Sequence, residues 1–443
     1  MDFSERKRAI EEKRAKLVVI GLGYVGLPVA CLFADAGFPV VGLDVDEDKV
    51  GAINEGRCSI EGKEPGLPDL VARVVSEGRL RATTDYSVCQ DADIILIAVE
   101  TPVDNETKKP RYTALGRALS DLGEHLQAGT LVIIESTLAP GTMTDLVQPT
   151  LEEASGIKVN EDFYLVNCPE RVMPGRLLHN LQHMHRVVGG SSPEAADLAT
   201  RFYRHVVDAD LDAVDCLTAE LVKTMENAYR DVQIAFANEM ALLCEDLDSD
   251  VWQVRELVNK SPGRHMLYPG VGVGGHCIPK DPWLLIANAS DDFEPRLIPT
   301  ARAVNDGMPL HMVDLTVEAL AEAGVDVSEA KVAVLGYAYL ANSDDTRNSP
   351  SAVLVSRLRE LGAEVAIHDP YVAEYRGNLE EHIRGSDALV VMVAHDAYQD
   401  ADWSRISRLT RHAALVDGRR AVTEPADQRP GLVFRGIGLG SSE

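Results

Sequence analysis

The stretch from Leu17 to Asp44 constrains the fold more than any other. LVVI runs into Gly21-Leu22-Gly23-Tyr24-Val25-Gly26, then an apolar segment to Gly37, then FPVVGLDVD. A strand, a glycine turn, a helix and a second strand in about thirty residues make a parallel βαβ unit. The glycines permit the tight turn and let a pyrophosphate approach the helix N-terminus. Asp44 lies eighteen residues beyond Gly26, where a carboxylate accepts from ribose hydroxyls and repels a 2′-phosphate. NAD rather than NADP is therefore the expected cofactor. Leu17 to Ala34 carries no charge and is long enough to cross a bilayer. Its glycines fall where a soluble strand–turn–helix needs them, so no membrane span is expected.

The same alternation continues along the chain. DADIILIAVE from Asp91, GTLVIIEST from Gly129 and FYLVNCPE from Phe163 read as strands, with helices over Val25–Gly37 and Tyr112–Gln127. From Thr218 to Asn259 no glycine or proline occurs, and apolar residues recur at helical spacing. This predicts a long helix followed by at least one more. Its stripe of Val222, Met225, Ala228 and Val232 suits a spine between lobes or a subunit interface, and equally a helix buried within one subunit. Strands resume with KVAVLGYAY from Lys331, EVAIHDPYV from Glu364, DALVVMVAH from Asp387 and AALVDGR from Ala413. The expected fold is α/β, with two doubly wound Rossmann-like domains joined by a central helical domain. The expected boundaries are 1–209, 210–310 and 311–443, with the reaction in a cleft beyond the carboxyl ends of the strands.

Composition excludes some partners. Forty-three basic against seventy acidic side chains leave a formal charge of −27, a field that repels phosphate backbones and anionic lipids, so neither nucleic acid nor membrane is an expected partner. Arginine outnumbers lysine 31 to 12, which with so acidic a surface resembles halophilic usage. The charged opening MDFSERKRAIEEKRAK lacks a secretory signal's apolar core. Seven cysteines without paired spacing form no disulfide framework. A reduced, cytoplasmic setting is expected.

A second glycine loop, Gly270-Val271-Gly272-Val273-Gly274-Gly275, delivers His276 and Cys277 and is followed by Pro279, Lys280, Asp281 and Pro282. Dense glycines let backbone approach a ligand and can aim amides at developing charge. Cys277 is thus the one cysteine placed like a nucleophile, although a small packed thiol is the ordinary fate of such a residue. Asp281 sits one turn beyond it if a helix starts there. Cys31 and Cys244 lie in apolar helical patterns, and Cys58, Cys89, Cys168 and Cys216 have no paired context. His179, His183 and His185 lack accompanying ligand spacing, so no metal is expected.

The motifs GLGYVGLP, ESTLAPGT, NCPERVMPGR, AELVKTMENAYRD, GVGVGGHCIPKDPW and DDTRNSPS, in this order across nearly the whole chain, resemble the UDP-glucose and GDP-mannose dehydrogenase family. The resemblance implies an N-terminal NAD domain, a dimerising helical middle and a C-terminal UDP-binding domain. Together these would oxidise a sugar C6 alcohol twice, to a carboxylate. It implies that Cys277 captures the C6 aldehyde as a thiohemiacetal that becomes a thioester. Lys223 and Asn227, four apart on one helix face, would hold the C6 oxygen, and Asp281 would assist proton movement. Glu170 and Thr137 match positions that order the hydrolytic water and the nicotinamide side. Beside the glycines Gly21, Gly23 and Gly26, the matched NAD contacts are Tyr24, Val25, Asp44, Lys49, Thr101, Thr137 and Arg347.

The PERVMPGR segment is similar to the branch of the family that oxidises UDP-N-acetylmannosamine. That likeness implies a UDP-sugar substrate held by Glu170, Arg171, Val172, Lys223, Asn227, Arg230, Arg264 and Tyr339, and a homodimer formed through the central helices. UDP-N-acetylglucosamine and UDP-glucose are the alternative substrates. Two departures bear on the sugar. Leu340 follows Tyr339 where the family usually has a lysine, and SPGRH places Gly263 before Arg264 where the arginine commonly comes one residue earlier. Two rival readings remain: a two-electron dehydrogenase using Lys223 and Asn227 without a nucleophilic cysteine, and a non-catalytic NAD-binding scaffold.

Overall fold

Ile94–Ile97 and Leu131–Ile134 are buried at every position, as only strands covered on both faces can be. In the computed structural model they form the middle of a parallel sheet. Residues 3–60, 62, 64–173, 175–411, 414–422 and 432–440 are described; the first residue of the strand expected from Ala413 lies outside them. The chain divides into two compact units, residues 1–226 with 283–293, and residues 227–282 with 294–443.

In the first unit eight strands lie in the order β3-β2-β1-β4-β5-β6-β7-β8. They are β1 (Leu17–Ile20), β2 (Val40–Leu43), β3 (Leu80–Thr83), β4 (Ile94–Ile97), β5 (Leu131–Ile134), β6 (Tyr164–Asn167), β7 (Arg186–Gly190) and β8 (Leu211–Asp215). Every neighbouring pair is parallel except β6 and β7. The Gly26–Asp35 helix follows β1, and only its last residue escapes burial. The order reverses between β1 and β4, where doubly wound sheets bind ligands.

One ion pair is built into this sheet. Arg186 on β7 donates from Nη1 to Glu135 Oε1 at 2.6 Å just past the end of β5, with both side chains almost wholly buried. Nη2 also donates to the Leu181 carbonyl, and the guanidinium lies 5.0 Å from the Tyr203 ring centroid. Removing either partner of such a pair strands the other charge, at about 3–5 kcal/mol.

The second unit contains a five-stranded, wholly parallel sheet in the order β10-β9-β11-β12-β13. Its strands are β9 (Lys331–Leu335), β10 (Glu364–His368), β11 (Ala388–Val391), β12 (Ala414–Asp417) and β13 (Val433–Gly436).

The glycine-free stretch is helical as expected. A 31-residue helix covers Cys216–Asp246, and after a short break Asp250 caps the Val251–Asn259 helix by accepting from Trp252 and Gln253 amides. The stripe read from sequence is divided: Ala228 is buried and Val222 and Val232 half-buried, whereas Met225 is 53% exposed. A second stripe, Tyr229, Phe236 and Leu243 at seven-residue intervals, is exposed. Among the described residues no helix is long and apolar enough to cross a membrane.

Candidate active site

Backbone geometry at the first glycine loop fits a dinucleotide. Gly21 takes φ +89°, and a Cβ at Gly26 would lie 1.8 Å from the Gly21 carbonyl oxygen, so the turn closes only without side chains. A Cβ at Gly23 would meet nothing within 4 Å. That space at the start of the Gly26–Asp35 helix is where a phosphate would receive backbone N–H groups. Asp44, just past β2, accepts the Leu22 amide at 2.7 Å and pairs with Lys49 Nζ at 3.0 Å. The carboxylate that would meet the ribose is thereby tied to the turn that would meet the phosphates. Thr101 Oγ1 donates to the Thr137 carbonyl at 2.7 Å, and Ser136 Oγ to the Val99 carbonyl at 2.6 Å. These bonds join the chain beyond β4 to the chain beyond β5. Val25 is the residue preceding the helix.

The substrate-side residues expected in the first unit are Glu170, Arg171, Val172 and Lys223. Glu170 is buried and accepts from the Val172 amide. Arg171, also buried, donates from Nε to Glu226 at 2.7 Å and from Nη1 to the His185 carbonyl at 2.9 Å. Its guanidinium therefore already braces the PERVMPGR loop against the long helix. Lys223 is 5% exposed, unlike the solvated helix lysine that spacing alone would suggest.

Asn227, Arg230, Arg264, Cys277, Asp281, Tyr339 and Arg347 belong to the second unit. A helix does start at Asp281 and runs to Ile286. The amides of Lys280 and Asp281 donate to the Cys277 carbonyl at 3.1 and 2.9 Å. Asp281 is fully buried, receives Asn227 Nδ2 on Oδ2 at 2.5 Å, and has Lys280 Nζ 3.3 Å from Oδ1. Cys277 itself is half-buried. Burial pushes the thiols of Cys31, Cys89, Cys168, Cys216 and Cys244 up, which disfavours the thiolate at those positions.

The loop's glycine amides differ from expectation. Gly270 N–H donates to Asn238 and Gly275 N–H to the Arg347 carbonyl, so these two hold the loop rather than face a ligand. Tyr339 packs on the same loop, since Cβ atoms at Gly274 and Gly275 would lie 2.4 and 2.8 Å from its side chain. Burial and then Asp345 push its phenol up to about 12, keeping it a neutral donor. Arg347 pairs with Asp345 through both Nε and Nη2. Arg230 and Arg264 are exposed, and Leu340 stands 44% exposed beside Tyr339. His179 and His183 are exposed with ring centroids 4.8 Å apart. No group of three or more metal-ligating side chains occurs among the described residues.

Three matches cover the chain in the same order. Residues 15–207 match the NAD binding domain of the UDP-glucose/GDP-mannose dehydrogenase family, 217–307 its central domain and 333–424 its UDP binding domain. The chain belongs to this family. The UDP-N-acetyl-D-mannosamine dehydrogenase of Pyrococcus horikoshii is 41% identical over 425 residues, covering 96% of this chain and 99% of that one. The solved structure of a UDP-D-ManNAc dehydrogenase from the same organism superposes with a TM-score of 0.90, at 41% identity over 96% of this chain and 100% of that one. An NDP-N-acetyl-D-galactosaminuronic acid dehydrogenase from Methanosarcina mazei Go1 gives 0.86, at 37% identity over 98% of each chain. The protein is thus an oxidoreductase, an NAD-dependent UDP-sugar dehydrogenase.

Two carboxylates that support this dehydrogenase site were not singled out from sequence. Glu64 accepts the Tyr24 hydroxyl, the Gly175 amide at 2.7 Å and the Leu177 amide at 3.3 Å, linking the dinucleotide turn to the loop after Glu170. Glu220, one turn before Lys223 on the long helix, accepts the Gly141 and Met143 amides, both at 2.8 Å. It holds the chain just beyond Thr137. Neither EPGL around Glu64 nor AEL around Glu220 gives any sign of such partners, which come from sequence-distant loops.

Two outcomes follow. Gly26→Ala should weaken NAD binding at least about tenfold, because the turn must open around the added carbon; titration of intrinsic fluorescence with NAD measures this, and an unchanged dissociation constant would contradict it. Burial raises the Glu220 carboxyl from 4.5 to about 7, its backbone bonds acting the other way. The folded state therefore holds this proton more tightly than the unfolded state. The resulting contribution is full below about 4.5 and is lost as pH rises through about 7. Urea unfolding from pH 5 to 8 should show wild-type stability falling relative to Glu220→Gln; a constant difference would contradict the shift.

Proposed function

We propose that this enzyme oxidises UDP-N-acetyl-D-mannosamine at C6 in two successive steps to UDP-N-acetyl-D-mannosaminuronate, through covalent capture on Cys277. The observation that carries the reading is the arrangement around that cysteine. Its carbonyl is bound by the amides of Lys280 and Asp281, and the Asp281 carboxylate is fixed by Asn227. A half-buried cysteine on the turn that also carries a positioned carboxylate and a lysine supplies the groups that addition and proton transfer need. The substrate assignment draws on the mannosamine dehydrogenases that this chain resembles along nearly its full length. The −27 formal charge and the expected reduced setting suit a cytoplasmic enzyme.

When bound at the Gly21–Gly26 turn beside Asp44, Lys49, Thr101 and Thr137, NAD supplies a hydride acceptor for each oxidation. In the first oxidation the C6 alcohol loses a hydride, and its hydroxyl proton departs by way of Asp281, leaving an aldehyde. Lys223 and Asn227 donate to the C6 oxygen and stabilise the negative charge it acquires. The Cys277 thiolate adds to the aldehyde carbon, and the resulting thiohemiacetal loses a second hydride and proton to become a thioester. Water ordered by Glu170 attacks the thioester carbon, expelling the thiol and releasing the carboxylate. Tyr339, Arg264 and Arg230 would hold the nucleotide sugar, and Arg171 would act mainly by fixing the loop that carries Glu170 and Val172. Without a lysine at position 340, Tyr339 would contribute a hydroxyl donor toward the nucleotide.

Two NADH should form per sugar consumed, and Cys277→Ala should abolish acid formation. Mass spectrometry over a panel of UDP-sugars reads both, with UDP-N-acetylmannosamine turned over fastest. Undiminished acid formation by the variant would overturn the covalent route. Oxidation of UDP-glucose alone would overturn the acetamido assignment.

The exposed stripe of Tyr229, Phe236 and Leu243 on the long helix supports a homodimer formed through the central helices. Sedimentation should give twice the chain mass for the wild type and a single-chain mass for Phe236→Glu. A monomeric wild type would contradict this assembly.

A further inference from the structure

The segment carrying Cys277 begins and ends on one face of the long helix. Asn227 donates to Asp281 at its far end, and Asn238 accepts the Gly270 amide at its near end, at 2.9 Å. Asn227, Asp231 and Asn238 are four and seven residues apart, so they fall on one side of the helix over about 16 Å. Behind Asn238 the hydrogen bonds continue inward. Asn238 Nδ2 donates to Asn305 Oδ1 at 2.8 Å, and Asn305 Nδ2 donates to Asp231 Oδ1 at 2.8 Å. The same Asp231 oxygen receives Arg302 Nη1 at 2.6 Å. Asn238, Asn305, Asp231 and Arg302 are all at most 2% exposed.

This chain has a direction. Gly270 N–H can only donate, so Asn238 must present its oxygen to the loop and its NH2 to Asn305. Asn305 must in turn present its NH2 to Asp231, whose carboxylate only accepts. Each amide orientation is therefore forced by the charge at the far end. Packed hydrocarbon of equal volume would fill the same space without burying an ion pair and two amides, whose desolvation is costly. A fully directional polar network instead fixes one geometry among several that apolar packing would allow. The loop also presses on this network, because a Cβ at Gly272 would lie 3.1 Å from the Asn305 carbonyl oxygen.

We propose that Asn238, Asn305, Asp231 and Arg302 are positioning residues for the Cys277 loop, a buried relay that holds the thiol where it must meet the aldehyde. The inference rests on the covalent reading of Cys277 above. None of the four needs to touch substrate. Their effect falls on the capture step, so disturbing them lets aldehyde escape between the two oxidations.

The test uses the full-length enzyme with the UDP-sugar that the wild type oxidises. Asn238→Leu deletes the bonds to Gly270 and Asn305 at nearly constant volume, and Asn305→Leu deletes the next link. In both variants kcat for acid formation should fall about tenfold or more, as expected for a misplaced reacting group, while KM for NAD stays within about twofold of the wild type. Hydroxylamine should trap more aldehyde as oxime than with the wild type. Backbone hydrogen exchange should accelerate over residues 270–277 and stay slow in the Cys216–Asp246 helix. Wild-type kcat and aldehyde release would overturn the proposal, and so would parallel losses of kcat, NAD affinity and helix protection, which mark general destabilisation. Failure of the covalent reading is distinguishable: Cys277→Ala would then still make acid, while the exchange of residues 270–277 in Asn238→Leu still reports on the relay.

Discussion

A hydrogen bond between Asn227 on the long helix and the buried Asp281 carboxylate sets the frame for the rest of the site. Asp281 opens the short helix, and its amide and that of Lys280 before it bind the Cys277 carbonyl, so the backbone of the cysteine is referred back to the long helix. Asn227 lies one turn beyond Lys223, and Lys223 one turn nearly beyond Glu220, which secures the loop after Thr137. Side chains of this helix thus hold the chain after Thr137 in the first unit and, separately, both ends of the Cys277 segment in the second. The carboxylate at 281 adds a fixed point beyond the cysteine to those that the Gly270 and Gly275 amides make before it, and a reacting group needs its geometry held on both sides.

The two sheets share a device and use it differently. In each, a carboxylate just past a strand receives the amides of a glycine turn after the neighbouring strand. Asp44 takes Leu22, and Asp369 takes Tyr337 and Ala338 at 2.7 and 2.9 Å. Asp44, 7% exposed, also accepts the Asp46 amide at 3.1 Å and pairs with Lys49. Asp369 is fully buried, binds His395 and accepts the Tyr371 amide as well. Burial alone would raise its pKa, but His395 and these amides outweigh that and hold it well below the ordinary value. His395 Nδ1 accepts the Asn342 amide, so the second turn is stapled at both ends. A carboxylate so occupied offers a ribose far less than Asp44 does, and the second sheet lies in the stretch that matches the family's UDP binding domain.

Much of this was legible because burial on both faces leaves unmistakable apolar runs, as at Ile94–Ile97, and because glycine turns announce their backbone. The edge strands were harder. Leu211–Asp215 carries two acids and is largely exposed, while Leu80–Thr83 alternates with an exposed arginine. An arginine inside a strand, as in Arg186-Val-Val-Gly-Gly, makes sense only once Glu135 is seen opposite it. Cys277, Asn227 and Asp281 could be named from their motifs, but the Asn238–Asn305–Asp231 links join residues up to 74 positions apart. No local pattern encodes such contacts. The role expected for Arg171 needs similar refinement, since its bonds to Glu226 and His185 are invisible in the PERVMPGR motif itself.

The most direct test of the central claim is to catch the covalent species. Enzyme mixed with UDP-N-acetylmannosamine and excess NAD, quenched in acid within milliseconds and digested, should yield a Cys277 peptide heavier by the mass of the nucleotide uronyl group. The adduct should disappear on treatment with hydroxylamine, as a thioester does. Steady acid production with the Cys277 peptide unmodified at every quench time, or the adduct on another residue, would contradict the account.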